Sequence, residues 1–141
     1  HGINRIVVGY NPGWKDCINL GSVTNQNFVC LPHGRFVEMI RYKSNVLGIG
    51  FIGVNASHTS VCSSLDREAV CHHDAYVGKR IRRGLFRSGS GMLINADVNG
   101  SVNILRKVFG DDVALRCLVN RGHVSCPVRV CADKVAINSF C

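Results

Sequence analysis

No unbroken apolar run in this sequence approaches the roughly 20 residues that a membrane-spanning helix needs, although hydrophobic residues make up 46% of the chain. The first ten residues carry neither the charged start nor the apolar stretch of a signal peptide. No Cys-x-x-Cys pair occurs, and there is no internal repeat or low-complexity linker. Acids are scarce. Nine Asp and Glu stand against 17 Lys and Arg, and none lies between Asp74 and Asp97.

These absences narrow the classes. With no export signal, the eight cysteines, which are spread along the chain, read as reduced thiols packed as small hydrophobes in a cytoplasmic protein. The competing class is a secreted, disulfide-rich basic binding protein. The net charge of +8 favours an acidic partner, most often nucleic acid. Distribution sharpens that reading, because Lys79, Arg80, Arg82, Arg83 and Arg87 crowd one acid-free segment. Such a run concentrates positive potential where phosphates can release counterions; the plainer reading is a solvated face. At 141 residues the chain suits one domain with a modest core, or part of a larger one. Its start at His1, with Ile6-Val7-Val8 following within five residues, reads as entry into the middle of a sheet.

Ile3 to Val8 reads as a buried strand broken by the turn-formers Gly9 to Gly13, and Phe28-Val29-Cys30 as a second, short strand. From Pro32, the residues Phe36, Ile40, Lys43 and Leu47 recur at helical spacing, widened by Met39 and Val46, with Gly48 as the stop. Ile49 to Val54 returns to a strand, and strand–helix–strand order implies an α/β core. Ser88-Gly89-Ser90-Gly91 lies between Leu85-Phe86-Arg87 and Met92-Leu93-Ile94, the signature of a hairpin. A helix follows with Val98, Val102, Leu105 and Val108/Phe109 on one face, capped by Asn95 or Asp97 and ended by Gly110. From Asp111 onward, short apolar runs broken by Arg121-Gly122 and Pro127 imply short strands or loops.

The segment Arg80 to Ser88, followed by Leu93-Ile94-Asn95-Ala96-Asp97-Val98-Asn99-Gly100-Ser101-Val102-Asn103-Ile104, resembles the C-terminal region of the TnpB/OrfB family. These are transposon-encoded, RNA-guided DNA endonucleases related to the type V CRISPR effectors. Further matches stand in the family's order at Gly9 to Lys15, Asn25 to Val29, Arg35-Phe36 with Met39 to Lys43, and Thr59 to Ser63, so the resemblance spans roughly residues 3 to 109.

The resemblance implies a partial RNase H-like, RuvC-type fold. Residues 1–54 would belong to its core, 55–94 to an inserted basic, zinc-ribbon-like segment, 95–110 to the final helix and 111–141 to a tail. It implies Mg2+ held by carboxylates, with Asp97 matching the family's last metal-binding Asp. The plain alternative for an Asp at a helix start is a cap. The first family Asp lies upstream of His1. The Glu is replaced either at Gly9 or at Asn55-Ala56, so the chain is expected to be inactive alone. A complete ribbon would bind Zn2+ through two Cys-x-x-Cys pairs. Here Cys62, Cys71, His72 and His73 are the candidate ligands, and a metal-free hairpin is the expected form. DNA and guide RNA are the implied partners, contacted through the basic run, with Trp14 as a candidate stacking residue. A nuclease-dead, nucleic-acid-binding regulator is the alternative within the family.

Overall fold

The computed structural model describes residues 3–11 and 33–119. Strand β1 (Arg5–Tyr10), helix α1 (His33–Val46) and strand β2 (Gly50–Asn55) form one unit, in which β1 and β2 pair in parallel from Arg5 opposite Gly50 to Tyr10 opposite Asn55. Parallel neighbours need a crossover connection, and α1 lies in it. Strands β3 (Lys79–Arg82), β4 (Leu85–Arg87) and β5 (Leu93–Asn95) form an antiparallel sheet in that order. Helices α2 (Ala96–Phe109) and α3 (Asp111–Val119) complete a small mixed α/β fold.

The expected strand–helix–strand order and the 85–94 hairpin are both present, with β1 running on through Gly9 and Tyr10. The parallel pair presents its two faces to different helices. Gly9 meets Ile104 of α2 and Arg5 stacks over Phe109, whereas Phe51, on the opposite face, takes the Arg41 guanidinium of α1 at 5.1 Å. Gly48 ends α1 in the left-handed region at φ 66°.

Two expectations are corrected, for α1 and for the stretch after Gly110, and that for α2 is extended. Helix α1 turns Ile40 and Ser44 inward and leaves Phe36, Met39, Val46 and Leu47 exposed, because the two strands paired beside it among the described residues cover only part of so wide a stripe. Helix α2 buries Val102, but its fully buried positions are Asn99 and Asn103, which face the ribbon; Leu105, Val108 and Phe109 are only half-buried. The stretch after Gly110 is helical through Val119. Gly110 redirects the chain at φ 77°, and Asp111 and Asp112 place negative charge at the positive end of α3. The expected strand at 28–30, Trp14 and the tail beyond 119 lie outside the described residues.

The tightest apolar packing sits in the ribbon. Phe86, Ile94 and Ala96 are buried together, with Leu65 and Val98 against them. A Cβ built at Gly78 would stand 2.5 Å from the Phe86 ring and 3.0 Å from the Arg87 carbonyl oxygen. The ring is enclosed, so Gly78→Ala is expected to destabilise the chain by about 1–3 kcal/mol, measured by denaturant unfolding.

Candidate functional site

The basic run forms edge strand β3, the turn after it and the end of β4. Pairing decides which cations share a face. Lys79 stands opposite Arg87, Arg80 opposite Phe86, and Arg82 opposite Leu85, with a register shift between Arg80 and Arg82. Regular alternation would separate Lys79 from Arg82. The shift instead returns Arg82 to the face of Lys79, Leu85 and Arg87. That open face carries Lys79, Arg82 and Arg87, with Leu93 exposed beside Arg87. Arg80 lies at the edge of the other face, level with buried Phe86 and Ile94, and Arg83 is exposed in the two-residue turn with Gly84. None of the five cations forms an ion pair among the described residues.

The ribbon that presents these cations is fastened by carboxylates. Glu68 is buried and accepts from the amides of Ser63 at 2.6 Å and Val77 at 2.9 Å. Asp66 accepts from the Ser63 hydroxyl at 2.6 Å and from the amides of Gly89 at 2.6 Å and Ser90 at 3.3 Å, tying the loop to the hairpin tip. Desolvation pulls the Asp66 carboxyl upward, but the hydrogen bonds from Ser63, Gly89 and Ser90 together outweigh it and hold the pKa below the ordinary aspartate value. A lowered folded-state pKa gives stability that is present in full above the unfolded value and lost as pH falls through the folded one. Thermal melts of the chain and of Asp66→Asn should therefore differ at pH about 7, and the difference should shrink as pH falls below about 3.9 and through the lower folded-state value.

Asp97 lies in the first turn of α2 and is exposed. Asn95 is the cap: its side-chain oxygen accepts from the amides of Asp97 at 2.9 Å and Val98 at 3.2 Å. That leaves the Asp97 carboxylate with no hydrogen-bond donor among the described residues. No three His, Cys, Asp or Glu side chains converge there or elsewhere among the described residues.

The two places where the resemblance would put a Glu, in β1 and at the end of β2, pack against later turns of α2. Gly9 is packed under Ile104, whose Cδ1 would be 2.5 Å from an added Cβ. At the Asn55-Ala56 position, Lys107 donates its ammonium to the carbonyls of Asn55 at 2.9 Å and Ser57 at 2.8 Å. Asp97 and Lys107 are separated by about 15 Å of helix axis. Two cations bridged about 4 Å apart need several carboxylates close together. Among the described residues the donor set around Asp97 does not fit magnesium.

The candidate zinc ligands are near one another but differently engaged. Cys62 is fully buried, and its thiol donates to the Cys71 carbonyl at 3.5 Å. Burial is the main cause that pushes its pKa up, against the thiolate a metal requires. His73 Nε2 lies 2.7 Å from the Ala69 carbonyl, an acceptor only, so that nitrogen carries the proton and offers no lone pair. Cys71 Sγ is 3.5 Å from the same nitrogen, and His72 packs edge-on against His58. This set does not fit a closed tetrahedral site. Neither Cys62 nor Cys71 is in a disulfide.

Sequence reasoning missed the buried polar residues Asn99, Asn103, Arg106 and Glu68. Asn99 and Asn103 stand four apart in α2, one above the other on a helix face, and that spacing of two amides was the available signal. Among the described residues no helix is long and apolar enough to cross a membrane.

No curated protein and no solved structure matches the chain. A family model, described as the Cas12f1-like TNB domain, matches residues 33–104, just over half of the chain, from α1 through the ribbon into α2. The chain belongs to that family: it contains the TNB domain of Cas12f- and TnpB-like RNA-guided nucleases.

Proposed function

We propose that this chain is a nucleic-acid-binding portion of a TnpB-type, RNA-guided DNA endonuclease, and that it does not cut DNA by itself. The observation that carries the reading is the ribbon's open face, where Lys79, Arg82 and Arg87 stand together without an acidic partner among the described residues. Cations on an exposed sheet suit the phosphates of DNA or guide RNA, and such contacts position a strand without reading its sequence. The RNase H-like, RuvC-type core is proposed for β1, α1, β2 and α2. Its support is the parallel pair sandwiched between the two helices, with strands only half-buried and an apolar face of α1 uncovered, as in part of a wider sheet.

Salt titration tests the binding. Affinity of the purified chain for duplex DNA and for single-stranded RNA should fall steeply as salt rises, with a linear relation between the logarithms of the two. A salt-insensitive interaction, or no binding at low salt, would remove the reading. Catalysis is tested separately. Magnesium-dependent cutting by the chain alone, abolished by Asp97→Ala, would overturn the inactive half of the proposal.

A further inference from the structure

The ribbon has no fitting zinc site among the described residues, yet its loop is closely held. What holds it to the rest of the fold is a polar network on α2. Asn99 and Asn103 are both fully buried. Asn99 accepts from the amide and the hydroxyl of Ser64, at 2.9 and 2.8 Å, and donates to the Cys62 carbonyl at 2.9 Å. Asn103 donates to the carbonyls of Thr59 at 2.9 Å and Cys62 at 2.7 Å. Its own carbonyl accepts from Arg106 at 2.8 Å, and Arg106 in turn is bound to Asp111 at 2.7 Å. The chain of bonds fixes each amide's orientation. A guanidinium can only donate and a main-chain carbonyl can only accept, so a flipped Asn103 would set like against like at both ends. No buried side-chain nitrogen or oxygen among the described residues lacks a partner.

We propose that Asn99 and Asn103 are the ribbon's docking clamp, and that this clamp, with Asp66 and Glu68, keeps the ribbon folded without a bound metal. A metal fixes a ribbon by drawing its ligands to one point. Here residues 59–64 are fixed instead by five hydrogen bonds, four from their backbone and one from the Ser64 hydroxyl, to two side chains of one helix, made across a separation of 35 to 44 residues. The same helix carries Asp97 in its first turn, so the clamp and that carboxylate belong to one helix. The proposal stands independently of whether the chain binds nucleic acid.

The test uses the full chain, expressed in zinc-supplemented medium and assayed for metal content. Amide hydrogen exchange is then followed with and without a chelator. The expected result is no stoichiometric zinc, and protection across 59–64 and 79–95 that the chelator leaves unchanged. Cys71→Ser should leave that protection unchanged as well. Asn103→Asp removes both donors and sets carboxylate oxygens against two carbonyls, so exchange across the ribbon should quicken about tenfold or more while β1, α1 and β2 keep their protection. Should Asn103→Asp not fold, Ser64→Ala, which deletes one hydroxyl of the clamp, carries the same test with a smaller increase. Stoichiometric zinc whose removal opens the ribbon would overturn the proposal, as would a ribbon insensitive to the Asn99–Asn103 network.

Discussion

Replacing Phe86 by Ala is expected to cost about 3–5 kcal/mol, the range for emptying a fully buried aromatic site. Phe86 is 1% exposed at the middle of the central ribbon strand, opposite Ile94, with Ala96, Leu65 and Val98 around it and the Gly78 backbone pressed against its ring. A three-stranded sheet of three- and four-residue strands has little else apolar to bury, so the cavity cannot be refilled from within. Small domains are stable by about 5–15 kcal/mol in total. Losing this side chain therefore removes a large share of that stability, and the ribbon should open more readily than β1, α1 and β2. Urea unfolding followed by amide exchange in 79–95 measures it. A loss below about 1 kcal/mol would show that the ribbon does not depend on this cluster. Phe86→Leu, which retains most of the volume, should cost less.

The combined change Lys79→Ala, Arg82→Ala and Arg87→Ala is expected to produce the largest loss in nucleic-acid affinity. The three stand on one face only because the register shift returns Arg82 to the side of Lys79. Each cation that neutralises a phosphate of duplex DNA contributes about 0.9 to the slope of log affinity against log salt, so removing three lowers the slope by about 2.7. Between about 50 and 200 mM salt the unaltered chain should then lose about fortyfold more affinity than the variant. Arg80→Ala, at the edge of the other face, should change the slope by less than any one of the three. Equal effects from all four would mean that diffuse charge, rather than a built face, governs binding.

Most of the element order was legible from local chemistry. Turn-formers at Ser88 to Gly91 marked the hairpin, and the apolar spacing with Gly48 as stop marked α1. The helix at 111–119 was not legible, because its start depends on Gly110 taking a positive φ and on two aspartates meeting the helix dipole. Periodicity placed α2 but did not reveal its most buried contacts. It counts apolar side chains, and the residues this helix buries most completely are two asparagines whose partners lie more than thirty positions away.

The sequence by itself determined the balance of charge, the family, the hairpin and the absence of a Cys-x-x-Cys spacing, since each is a matter of residue type and short-range spacing. Only the tertiary structure decided which cations share a face, that Asn95 rather than Asp97 caps α2, and what holds the ribbon in place. Those outcomes depend on strand register, on the backbone conformation at Asn95 and on hydrogen bonds between distant segments, and none of these is encoded in the periodicity of any one stretch.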